Sequence, residues 1–173
     1  MKSFAITGLL LLMLATGSSA LAQTYEVPKN YVLKTRDDYA RYETDIIRTA
    51  DWLQQTPWKA QPPKMEEATQ FFLKWIKGTP AVTIRLTEAV MNLSDKNPQL
   101  GFVYMAAFSK FVLQHKTGFD VNNANIIAVR AVVDKYNAEP AHKTDEDIEH
   151  LIELDKKGEL NDWVISMFSA EER

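Results

Sequence analysis

The amino-acid sequence predicts an all-α protein, an irregular bundle or short array of about five to six helices with one short extended segment. Three observations carry that expectation. Apolar residues recur at steps of three and four through most of the chain, the strand period appears over a single short run, and proline, glycine and capping residues divide the periodic stretches at helix-like lengths.

The first 22 residues stand apart. Lys2 supplies a positive start, Phe4 to Ala15 is an apolar run of 12 residues, and Ala20-Leu21-Ala22 before Gln23 matches the small-x-small cleavage pattern of a secretory signal peptide. The run is shorter than the roughly 20 residues a helix needs to cross a hydrocarbon core of about 30 Å. We therefore read residues 1–22 as a signal peptide and 23–173 as a single helical domain, periplasmic or secreted, without a membrane span once the signal is removed. No cysteine is present, which excludes disulfides, thiol nucleophiles, a lipidated N-terminal cysteine and every cysteine-ligated metal site.

After an extended arm with Pro28, Tyr31 and Leu33, Thr35 offers an N-cap oxygen and Asp38 stands three residues on. Tyr39, Tyr42, Ile46, Ala50 and Leu53 then line one face of a helix over 36–55, which Pro57 ends. A loop with Pro57, Pro62 and Pro63 leads into a helix over 63–77, with Ala68, Phe72 and Trp75 inward and Gly78 as its stop. Val82 to Leu86 alternates apolar and polar residues, an extended segment paired at most with the Tyr31 to Leu33 arm.

Asn97 and Pro98 read as N-cap and first residue of a helix reaching Lys116, whose wide apolar face (Leu100, Val103, Tyr104, Phe108, Val112) makes it the expected hub of the core. A helix over 123–136 follows, capped by Asn122 or Asn123. Thr144 heads another that runs to Gly158, and a last short helix carries Leu160, Trp163, Val164 and Phe168. Residues 139–173 hold 11 acids against 4 bases, a solvated acidic face or a docking face for a basic partner.

The overall charge of −3 argues against nucleic-acid binding, which needs a basic surface. There is no Gly-x-Ser-x-Gly elbow, phosphate loop, dinucleotide glycine fingerprint or His-Glu-x-x-His helix, so no catalytic residue is nominated and no cofactor is expected. His142, Glu146 and His150 recur at intervals of four, but the Thr144 cap leaves only Glu146 and His150 on one helix face as candidate metal ligands or an acid–base pair. His115 fits a helix C-terminus. Asn92-Leu93-Ser94 has the pattern of a glycosylation sequon. Trp58, between Pro57 and Pro62, lies off every helical stripe and is either a surface anchor for a peptide or glycan or a lid over the bundle end.

Several strings span most of the chain after residue 22: Leu33-Lys34-Thr35 with Asp38-Tyr39, Asp51-Trp52-Leu53 with Thr56-Pro57, Phe72-Leu73-Lys74-Trp75, Gly78-Thr79-Pro80, Asn97-Pro98 and Leu154-Asp155-Lys156-Lys157-Gly158-Glu159-Leu160. With the signal peptide, they resemble a group of bacterial secreted proteins of no assigned activity. The resemblance implies an envelope or secreted setting and a helical fold, and brings no ligand or catalytic residue with it. The expected function is a binding or structural module acting through its surface on a protein or envelope partner. An envelope hydrolase or metal-dependent enzyme, and a carrier of a small apolar ligand near Phe108, Phe111 and Trp75, are the alternatives.

Overall fold

The computed structural model describes residues 25–170. Residues 1–24, which include the expected signal peptide over 1–22, and residues 171–173 lie outside the described residues. Among the described residues eight helices follow one another: α1 (Arg36–Arg41), α2 (Glu43–Gln55), α3 (Pro62–Ile76), α4 (Glu88–Asn92), α5 (Gln99–Gln114), α6 (Val121–Ala138), α7 (Glu146–Lys157) and α8 (Leu160–Ala170). The fold is all-helical, and no strand occurs among the described residues.

Helix α5 is the hub. It packs most extensively against α6 and α2, while α3 covers α2 and α7 and α8 cover α6. Small residues permit this close approach, since Ala106, Ala107 and Ser109 on α5 and Ala124 and Ala128 on α6 are all buried. Between them Leu100, Tyr104, Phe108, Val129, Val132 and Tyr136 fill the interior, continuous with Ile46, Phe71, Phe72 and Trp75.

Eight helices replace the expected five to six for local reasons. The single helix foreseen over 36–55 breaks at Tyr42 (φ −96°, ψ 3°). At the break the Tyr39 carbonyl accepts the Tyr42 amide at 3.2 Å and also the indole N–H of the fully buried Trp75 at 2.9 Å, and the Tyr42 ring packs edge-on against Phe71 and Tyr31. The Thr35–Asp38 box forms as a true capping box. Helix α4 is new: Thr87 caps it by accepting from the Val90 amide at 3.3 Å, and five residues are too few to display a period. The segment 82–86 before it is neither helix nor strand and forms no ladder with the Tyr31 to Leu33 arm.

Three caps shift as well. Pro98, in αR geometry, precedes α5, because the buried Asn97 is engaged elsewhere: its amide donates to the Lys143 carbonyl at 2.8 Å and its oxygen accepts the Lys143 amide at 2.7 Å. Asp120 caps α6 in place of Asn122 or Asn123, and Asp145 caps α7 in place of Thr144. In both, a carboxylate accepts the amide two residues on, at 2.7 Å and 3.2 Å, which the helix dipole also favours.

Candidate functional site

The expected site residues do not converge. Glu146 and His150 are both exposed on α7, and His142 precedes that helix, half-buried, stacked on Tyr136 at 3.9 Å with Nδ1 2.6 Å from the Glu139 carbonyl. No group of three or more His, Cys, Asp or Glu side chains placed to hold a metal ion occurs among the described residues. His115 caps the C-terminus of α5, its ring stacked on Phe111 at 4.2 Å. Asn92 of the sequon ends α4 and is exposed.

Trp58 is half-buried against the core. Its backbone amide donates to Glu139 Oε2 at 2.8 Å, and Lys135 Nζ lies 6.0 Å from its ring centroid. Lys135 and Glu139, one turn apart at the end of α6, form a buried ion pair at 3.6 Å. Lys135 also donates to the Thr56 carbonyl at 2.5 Å, so this pair clamps the proline-rich loop onto the bundle.

The residues named for an apolar carrier separate too. Trp75 is sealed beside α1 and Phe111 stacks on His115, whereas Phe108 faces an open recess of about 310 Å³. Helices α5, α6 and α8 build its floor. Buried Tyr104 stacks between Phe108 at 6.3 Å and Phe168 at 6.2 Å, and the two phenylalanines line the opening. Val121 at the start of α6 and the extended 82–87 segment, through Thr83, Arg85 and Thr87, complete the lining.

One polar group stands at the foot of this recess. Asn125 is only 7% exposed, and its Oδ1 accepts the Tyr104 hydroxyl at 2.9 Å. Burial pushes the Tyr104 phenol above its ordinary range, so the hydroxyl keeps its proton and remains the donor. Asn125 Nδ2 makes no hydrogen bond among the described residues. It is not a sealed orphan either: Asp145 Oδ2 is the buried side-chain atom left without a partner there, so the Asn125 N–H group is reached from the recess. Of the lining residues Val121 is 42% exposed, and Leu86, between Arg85 and Thr87 in sequence, is 58% exposed.

The recess can hold an apolar body against Phe108, Phe168 and Val121 and donate hydrogen bonds to an oxygen at one end, from Asn125 and the Thr83 and Thr87 hydroxyls. Among the described residues that line it there is no nucleophile–base pair. Sequence reasoning found Phe108 alone. Asn125 did carry a signal, an amide between Ala124 and Ile126 on a helix face otherwise apolar; Thr83 and Thr87 had none, because a loop brings them there.

Comparisons with family models, with curated proteins and with solved structures found no match.

Proposed function

We propose that the protein is an exported helical binding module, periplasmic or secreted, that takes up a small amphipathic molecule in the recess between α5, α6 and α8. The observation that carries this reading is the Asn125 amide, nine-tenths buried, with its oxygen already satisfied and its N–H group turned to an apolar opening. The Asn125 N–H group, reached from the opening and unpaired among the described residues, is free to donate to a ligand oxygen, and such a bond contributes about 0.5–1.5 kcal/mol net. Apolar lining with a few fixed polar groups is the usual composition of a small-molecule site. The 1–22 segment supports export, and no helix among the described residues is long and apolar enough to cross a membrane.

Laurate is a suitable probe, with a carboxylate head and an apolar chain. Calorimetric titration of the purified chain with laurate is expected to show saturable one-to-one binding. Val121→Asp places a charge at an exposed position on the rim, where it suits a helix N-terminus and leaves stability unchanged, and it is expected to weaken binding at least tenfold. Asn125→Leu is expected to weaken binding of laurate more than binding of dodecane-like chains lacking an oxygen. Absence of laurate binding, or equal affinity in wild type and Val121→Asp, overturns the reading.

A further inference from the structure

A second recess, of about 440 Å³, lies between the arm entering α1 and the outer face of α2, and shares no residue with the first. Its apolar part is an aromatic pair: Tyr25 and Trp52 stack at 5.2 Å with their planes tilted by 31°. Tyr25 is held in place through its hydroxyl, 2.9 Å from Thr49 Oγ1. Thr49 spends its own proton on the Asp45 carbonyl at 2.7 Å, so Tyr25 donates and Thr49 accepts.

The polar part is rich in charge, with three lining acids each paired to a base. Glu26 pairs with Lys64 at 3.1 Å, Asp51 with Lys110, and Asp45 with Arg48 at 3.9 Å. Lys64 also reaches over both rings, at 5.7 Å from Tyr25 and 5.9 Å from Trp52. The three lining carboxylates oppose an anionic ligand, and each already has a base beside it, Arg48 within the lining and Lys64 and Lys110 adjoining it, so none is left uncompensated to attract a cation. What the lining does offer is unspent hydrogen bonding. A carboxylate has about four lone-pair positions, so one base leaves several open, and the exposed Gln55 adds an amide with both donor and acceptor.

A ligand that suits such a surface is uncharged, carries several hydroxyls, and has an apolar face to lay on an aromatic ring. We propose that this recess is a saccharide-binding site, in which Tyr25 and Trp52 meet the C–H face of a neutral sugar ring while Asp45, Asp51 and Gln55 hydrogen-bond its hydroxyls. Hydroxyl-to-carboxylate hydrogen bonds are charge-assisted and are the stronger kind. Asp51 is held by Lys110 of α5 and Trp52 packs against the core, so both groups stand on rigid helix and not on a loop.

The test is titration of the purified chain with cellotetraose, maltotetraose and chitotetraose, read by calorimetry and tryptophan fluorescence. At least one of the three is expected to bind with a dissociation constant of about 1 mM or tighter, a common strength for a shallow wet site. Affinity for an uncharged ligand is expected to change less than twofold between low and high salt. Trp52→Leu is expected to weaken binding at least tenfold. Because Trp52 also packs on the core, Gln55→Ala at an exposed position serves as the second variant, with a threefold or larger loss and an unchanged melting temperature. Val121→Asp, at the other recess, is expected to leave sugar binding intact. No binding by any of the three sugars, binding unchanged in both Trp52→Leu and Gln55→Ala, or binding of tetralysine in their place overturns the proposal.

Discussion

Glu139→Leu is the most informative single change in the fold. The Glu139 carboxylate is 1% exposed; Oε2 accepts the Trp58 amide at 2.8 Å and lies 3.6 Å from Lys135 Nζ, while Oε1 accepts the Ala141 amide at 3.3 Å. Leucine at 139 leaves an ammonium only 3% exposed with the Thr56 carbonyl and the face of Trp58 as its neighbours, and strands the Trp58 N–H. Breaking a buried pair by removing one partner destabilises by about 3–5 kcal/mol. In a domain of this size each kcal/mol moves the melting temperature by roughly 2–4 °C, so the expected drop is on the order of 10–15 °C.

The pH dependence sharpens the test. Desolvation already holds the Lys135 ammonium below its ordinary range, opposed by Glu139, and removing Glu139 lowers it further. The unfolded chain then binds more protons than the folded one in the window between the lowered value and the ordinary 10.5, so stability rises with pH across that window. Thermal melts at pH 7 and pH 9.5 are expected to show a smaller loss for Glu139→Leu at the higher pH. The double variant Lys135→Met with Glu139→Leu removes both charges and is expected to recover most of the loss, leaving about 1–2 kcal/mol for the Trp58 amide. A loss below about 1 kcal/mol in the single variant, or a double variant no more stable than the single, refutes the clamp.

Two glycines make a contrasting pair. A Cβ on Gly78 would sit 2.0 Å from the Tyr39 hydroxyl oxygen and 2.5 Å from its ring, so Gly78→Ala is expected to destabilise by about 2–3 kcal/mol in chemical denaturation, and Tyr39→Leu in the same chain to restore part of it. Gly158 has open space but φ 76°, so Gly158→Ala is expected to destabilise by only about 1 kcal/mol; equal losses at the two sites would contradict this. Burial, with Asp45 and Glu26 nearby adding to it, pushes the Tyr25 phenol up to about 12 against an ordinary 10.0. A value raised on folding contributes stability in full below pH 10, and that contribution is lost as pH climbs from 10 towards 12. Melting temperature followed over that range is expected to fall less steeply in Tyr25→Phe than in wild type, and parallel curves would dispose of the assignment.

Much of the helical layout was legible residue by residue. Thr35 with Asp38, the proline-started α3, the apolar face of α5 and the Gly158 stop all act through neighbours within one or two turns, where spacing is enough. The failures share a different cause. Asn97 reads as a cap and instead bridges to Lys143, and Gly78, which does follow the end of α3 as a stop, has the further role of making room for the Tyr39 ring. Trp75, named with Phe108 and Phe111 as ligand contacts, is spent on the Tyr39 carbonyl. Each depends on a residue more than 30 positions away.

By itself the sequence determined the secondary-structure class and most helix faces, since these follow from the 3.6-residue period and from end groups that hydrogen-bond locally. Only the tertiary structure decided which polar groups are spent. Lys135 and Glu139 consume one another, while Asn125 turns its N–H group to an apolar opening and the charges around Tyr25 and Trp52 cancel in pairs. The physical reason is that hydrogen-bond satisfaction and charge compensation are properties of distance in space, and helices brought together across the core set those distances.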